Sequence, residues 1–406
     1  MKSKDIHFIE FIFLVALLMA LVSATINMLL PAFQKMSIDF QLKDKNQIQL
    51  SISLLYLGLG ISQALYGVIS DSIGRKPTIY FGLVLFIIGC MISWLSSSIE
   101  TLLIGQILQG VGLGAPRVIS VAIVRDQYEG VRMARAMSFI MVIYVLTPTI
   151  SPILGKSIIN LLNWRTLFIV YICFGMFLFL LFKYRMPETL RLEKRRKFSV
   201  QQLKQAIIEI FKNQKSLGYT IILGLYSGVF ITYLNLSQAI FEFQYNLGEQ
   251  YPYYFSFLAL SIGLASFTNG KLVNRLGMEI MTQAAIVFSI GSAIVILTIN
   301  HFIMLPFWMF VIFMFIQLFS YGLLIGNINA LAMEPLGHIA GLGASIVGAI
   351  STLISVPLSI LIGSFYSNNT FPIIIGFLAV GILSLLIVHY TKYIFEYGKQ
   401  YHQQSI

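Results

Sequence analysis

Stretches of predominantly apolar residues, each long enough to cross a hydrocarbon core of roughly 30 Å as a helix of about 20 residues, follow one another from end to end of this chain. Twelve such spans are read: 8–33, 47–69, 77–98, 101–124, 135–159, 165–183, 217–241, 252–272, 279–300, 303–333, 339–364 and 370–394. Composition agrees, because 57% of the 406 residues are hydrophobic and only 11% are charged, less than half the usual charged share of a soluble domain. The predicted fold class is therefore an all-α polytopic membrane protein. A transmembrane β-barrel would show segments of about ten residues alternating in polarity, whereas these runs are continuous. The first block is interrupted by Ser23, Thr25 and Asn27 and lacks a small-residue cleavage site, so it reads as a retained helix rather than a signal peptide.

Lysine and arginine set the expected orientation, since short cytoplasmic loops retain positive charge. With both termini inside, 21 of the 27 Lys and Arg residues fall on the cytoplasmic side and five outside, which leaves Arg117 within a span. The net charge of +11 and the run 191–197 (RLEKRRK) suit a membrane-flanking loop drawn to anionic headgroups better than a nucleic-acid patch. Cys90 and Cys173 have no metal-type spacing and read as packing residues.

The polar stretch 186–216 divides six spans from six and is read as a cytoplasmic linker between bundles 1–185 and 217–406. Within it, Val200, Leu203, Ile207, Ile210 and Phe211 have the spacing of an amphipathic surface helix. An internal repeat is visible directly. After the second span comes Gly67-Val-Ile-Ser-Asp71-Ser-Ile-Gly74-Arg75-Lys76, and after the eighth comes Gly270-Lys-Leu-Val-Asn274-Arg275-Leu-Gly277, 203 residues on. Two parallel copies of one six-helix unit account for that offset.

The first copy resembles the major facilitator loop signature G-x-L-x-D-R-x-G-R-K, with Ile69 and Ser72 in place of the usual Leu and Arg. Further stretches resemble the Bcr/CflA-type group of drug:proton antiporters: 108–126 (LQGVGLGAPRVISVAIVRD), 133–155 (MARAMSFIMVIYVLTPTISPILG), 332–345 (AMEPLGHIAGLGAS), NWRTLF at 163–168 and MPETL at 186–190. The resemblance implies the major facilitator fold, twelve helices in two pseudo-symmetric six-helix bundles that alternate access to a central site. It also implies a gating set made of Gly67, Asp71, Gly74, Arg75, Lys76, Asp126 and Arg135. Asp71 would face the small residues 339–343 at the start of span eleven, unless it is simply a solvated turn residue. Gly67 would let the second span approach a neighbour closely. Pro148, Pro152 and Gly155 mark the bent fifth helix of the antiporters, packed against the eighth; a purely structural bend is the other reading.

Charge buried in a bilayer is costly, so Arg117 is the leading substrate or coupling candidate, with a structural bond to backbone carbonyls as the alternative. Related antiporters carry an aspartate near the end of helix one and an arginine in helix four; here Asn27 and Gln106 occupy those positions. Replacing both partners avoids leaving one buried charge uncompensated, and neither amide titrates. Both lie in the outer third of their spans and are expected at one depth in the cavity. Gln109, Tyr144, Tyr226, Tyr233, Asn235, Gln238, Tyr321 and Asn327, with Gln317 and Asn329, complete the candidate lining, although any of them would serve equally as an interhelical bond. No Asp or Glu falls well inside a span, so coupling by protons would rest on Asp71, Asp126 or Glu334, or on His338 or His389.

No phosphate loop, metal spacing or nucleophile–base constellation supports an enzyme, and no cofactor is implied. The reading is a monomeric carrier of a small organic compound in the bacterial inner membrane, exporting a drug-like or siderophore-like molecule. An importer or facilitator without the usual proton coupling is the alternative, and a channel or sensor is not excluded by helix number.

Overall fold

The computed structural model describes residues 7–42, 45–128, 130–190, 192–195, 199–303 and 305–404. Among these there is no β-strand; a helix is one of the two ways a chain in hydrocarbon satisfies its backbone groups, and it does so within itself. The helices are α1 (Phe8–Leu29), α2 (Phe33–Asp39), α3 (Leu50–Ile73), α4 (Arg75–Trp94), α5 (Ile99–Gln127), α6 (Gly130–Leu161), α7 (Thr166–Arg185), α8 (Val200–Lys212), α9 (Gln214–Ala239), α10 (Tyr251–Leu276), α11 (Met278–Phe302), α12 (Phe307–Met333), α13 (Ala340–Ser364) and α14 (Phe371–Gln404). Eleven segments among the described residues are long and apolar enough to cross a membrane. Helix α6, 32 residues long with Pro148 and Pro152 inside it, covers the remaining expected span. A short 3-10 segment at Leu30–Ala32 joins α1 to α2, so the first span extends to Asp39. Helix α8 is the linker helix.

The described chain forms two compact units, one of residues up to Leu203 with Leu234–Leu260, the other of Lys204–Tyr233 with the chain from Ser261 onward. In the first unit α5 is the hub, and glycines decide its packing. A Cβ on Gly110 would collide with the Leu55 carbonyl of α3, and one on Gly112 would collide with the Phe86 backbone of α4. Between membrane helices small residues replace the hydrophobic effect as the source of cohesion, since they let backbones approach. Helix α6 meets α1 in the same way, Gly155 lying against the Met28 carbonyl. In the second unit α12 crosses α10 where Gly322 meets Ile262 and Ala265. There Gln317 of α12 ties α11, accepting from the Ser289 hydroxyl at 2.6 Å and donating to the Ser289 carbonyl and the Ser292 hydroxyl at 3.0 Å each. Large apolar side chains face outward on both units, among them Phe81, Ile104, Phe177, Phe288 and Leu386. Such a surface is suited to lipid.

The glycine packing makes a measurable contrast. Gly110→Ala drives a methyl into backbone and is expected to cost about 1–3 kcal/mol, lowering the thermal midpoint in detergent. Gly326→Ala points into open space and is expected to leave the midpoint within about 0.5 kcal/mol equivalent of the starting protein.

Candidate functional site

The first charged cluster grows from one turn. Helix α3 stops at Ile73 because Gly74 takes φ +109°, a conformation that favours glycine. Helix α4 then begins at Arg75, with Pro77 in its first turn, where a missing N–H costs nothing. The Arg75 side chain is buried, with 3% exposure, and its charge is met from two helices. Its Nε donates to Asp126 of α5 at 2.8 Å and its Nη1 donates to Asp71 of α3 at 2.5 Å and to the Ser70 hydroxyl at 2.8 Å. Gly67 takes part through its carbonyl, which accepts from the Ser70 hydroxyl at 3.0 Å. Close backbone approach between α3 and α5 is seen at Gly58 and Gly110.

Glu188, from the MPETL segment after α7, completes the cluster and was not among the sequence candidates. Its carboxylate accepts the backbone N–H groups of Arg75 and Lys76 at 3.0 Å each, and that of Leu190 at 2.9 Å. First-turn N–H groups have no partner inside their own helix, and a carboxylate there also meets the positive end of the helix dipole. Lys76 donates from Nζ to the Lys183 carbonyl at 3.0 Å. Arg135 is placed elsewhere: it is exposed, with its guanidinium 6.0 Å from the Phe8 ring centre.

Arg117, on α5 directly after Pro116, donates to the Tyr144 hydroxyl of α6, and its guanidinium lies 4.8 Å from the centre of the same ring. This is a polarised pair. The tyrosine oxygen accepts from a cation, which leaves the phenolic proton as a stronger donor toward a third group. Pro148 and Pro152 follow Tyr144 on α6 by one and two turns.

Asn27 and Gln106 are both buried, but no hydrogen bond joins them. Asn27 turns back on its own helix, donating to the Ser23 carbonyl at 2.7 Å, as a polar side chain in an apolar helix does when no outside partner is in reach. Gln106 is fully buried with neither amide atom hydrogen-bonded. Gln109, one turn further, donates to the Gly89 carbonyl at 3.4 Å and the Ser93 hydroxyl at 2.8 Å of α4. Also in the first unit, Asn235 donates to the Ser53 hydroxyl at 2.9 Å and Gln238 to the Pro31 carbonyl at 3.3 Å. Lys156 pairs with Glu249 at 2.6 Å, and this bond holds the exposed Glu249 carboxyl below its ordinary pKa.

In the second unit Tyr321 stacks on Phe230, with ring centres 4.4 Å apart and planes 10° from parallel. Asn327 and Asn269 exchange amide bonds at 2.7 and 3.2 Å, while Tyr226 and Tyr233 are each 1% exposed. Asn329 is exposed. Gln317 is committed to α11, as described above. Of the sequence candidates, the structure thus brings together Arg117 with Tyr144, and Asp71 with Arg75 and Asp126.

The Major Facilitator Superfamily model matches residues 12–359, and the chain belongs to that family. It is 30% identical over 357 residues to a Bacillus subtilis protein described as an uncharacterized MFS-type transporter, YdgK, covering 86% of this chain and 88% of that one. A bicyclomycin resistance protein homolog of Haemophilus influenzae is 23% identical, with 94% and 95% covered. The resemblance to the Bcr/CflA-type group is consistent with these relatives. A solved D-xylose-proton symporter shares the fold with a TM-score of 0.74 at 16% identity, covering 95% of this chain and 97% of that one. The protein is a multi-pass membrane transporter and not an enzyme.

The two glutamines of α5 should respond in opposite senses to the same substitution. Gln106→Met, which removes two unpartnered polar atoms, is expected to leave thermal stability unchanged or raised. Gln109→Met, which strips Ser93 and Gly89 of a donor, should lower it by about 1–3 kcal/mol.

Proposed function

We propose that this transporter exports a small organic compound, drug-like or siderophore-like, and that Arg117 and Tyr144 bind an acceptor or anionic group of it. The supporting observation is the pair itself: a guanidinium at membrane depth, stacked on a ring whose hydroxyl it polarises. A cation held in low dielectric attracts an anion far more strongly than one in water. Relatives named for bicyclomycin and multidrug resistance support the outward direction. Access alternates between bundles 1–185 and 217–406, joined by the linker 186–216, in a monomer with both termini on the cytoplasmic side of the inner membrane.

One observation favours a second reading. Asn27 and Gln106 carry no charge and make no bond with each other, so the family's usual proton site has no titrating group in this chain. A facilitator or importer of an organic nutrient would need none. An imposed pH gradient separates the two: coupled export accumulates substrate against its gradient, and a facilitator only equilibrates it.

Proteoliposome flux of aromatic anions, with fluorescein as the first probe, tests the binding pair. Arg117→Gln should raise KM about tenfold to a hundredfold, the value of a charge-assisted hydrogen bond. Tyr144→Phe keeps the ring under the guanidinium and should raise it about fivefold. Wild-type KM in Arg117→Gln would remove the assignment.

A further inference from the structure

The repeated turn is built alike in both copies but finished differently. Gly277 takes φ +82° where Gly74 takes +109°, and helix follows directly in both cases. In the first copy Asp71 and Arg75 form an ion pair and Glu188 caps the following helix. In the second, the positions corresponding to Asp71 and Arg75 hold Asn274 and Met278, and among the described residues no side-chain hydrogen bond to the first backbone N–H groups of α11 is seen. Lys271 and Arg275 are exposed there. Lys271 lies with Nζ 4.2 Å from the Phe267 ring centre, and Arg275 has no ion-pair partner among the described residues. The one carboxylate in the stretch 269–280, Glu279, is held by Lys215 at 3.3 Å.

A groove of about 840 Å³ on the same unit begins at Ile280 and runs along α11 past Gln283 and Val287 to Ile296, with Ile312 of α12 on its other wall. Ile280 stands three residues after Gly277, roughly 5 Å along the helix axis, and Ile296 a further 24 Å or so. The groove therefore starts within one helical turn of Gly277 and runs along most of α11. Its walls are almost wholly apolar, and Val287 and Ile312 remain 55% and 58% exposed. Gln283, half-buried at its entrance, is placed where a donor would meet an ester carbonyl.

We infer that the α10–α11 turn and this groove form a binding site for an anionic phospholipid, whose phosphate sits at Lys271 and Arg275 and one of whose acyl chains fills the groove. Charge complementarity selects this occupant. Two cations without a free carboxylate attract an anionic headgroup, whereas a second copy of the chain would bring the same two cations against its neighbour in a symmetric contact. The site would bind lipid whether or not the transported compound is the one proposed above.

Quenching by brominated lipid tests it. A tryptophan placed by Val287→Trp in the full chain reports on the groove, with the unaltered protein giving the background from its own tryptophans. Reconstituted with mixtures of brominated phosphatidylglycerol or brominated phosphatidylcholine, the reporter should show a preference for the anionic lipid of about tenfold to thirtyfold. Lys271→Gln with Arg275→Gln should reduce that preference to near unity, and Arg275→Lys, which keeps the charge, should retain it. Equal quenching by the two lipids, or an undiminished preference in the double variant, would overturn the inference. So would the absence of quenching by either lipid, which would place a protein surface such as a second copy over the groove.

Discussion

Arg75 sits 3% exposed at the end of a membrane helix, and a cation so placed has to be compensated on every side it presents. Asp71 and Asp126 supply the opposite charge, Ser70 a further acceptor, and Glu188 takes the backbone N–H groups that start α4. Removing one partner from such a group commonly costs about 3–5 kcal/mol. The cluster thereby pins the end of α3, the start of α4, the end of α5 and the segment after α7 to one another. The geometry of the first unit at that end follows from it.

Helix α5 carries this constraint inward. Asp126 lies near its last turn, and Arg117 stands nine residues earlier, roughly 13 Å along the axis. On the other side of Arg117 the helix packs against α3 and α4 through Gly110 and Gly112, where a side chain would run into backbone. The proposed substrate cation and the carboxylate that holds Arg75 therefore share one rigid element. Packed secondary elements of this kind carry energetic coupling between distant positions. The second unit has the same turn without the cluster, and there the cations are left for the membrane.

The twelve spans were legible because apolar runs in lipid have little other fate than helix, and the repeat was legible because it keeps glycine at the one backbone position that needs positive φ. Asp71, Arg75 and Asp126 were visible as a family pattern. Glu188 was not, because its partners are backbone N–H groups and backbone leaves no mark in a sequence. Asn27 and Gln106 were visible as neutral residues, but their separate bonding was not: the structure shows no bond between the two, since an amide inside an apolar helix can satisfy itself on its own i−4 carbonyl, as Asn27 does. Gln317 could not be told from a cavity residue, because α12 is apolar on all sides and gives no indication of which face meets α11. The many glycines of α5 were likewise ambiguous until the backbones they separate were in view.

Amide hydrogen exchange at the two repeat-related turns tests the central asymmetry most directly. The N–H groups of Arg75 and Lys76, held by Glu188, should exchange at least about tenfold more slowly than those of Met278 and Glu279, the protection of a hydrogen bond worth roughly 1.5–3 kcal/mol. In Glu188→Gln the gap should narrow, as the carboxylate that binds both amides becomes neutral. Equal exchange at the two turns in the unaltered protein, or slower exchange at the second, would contradict the account.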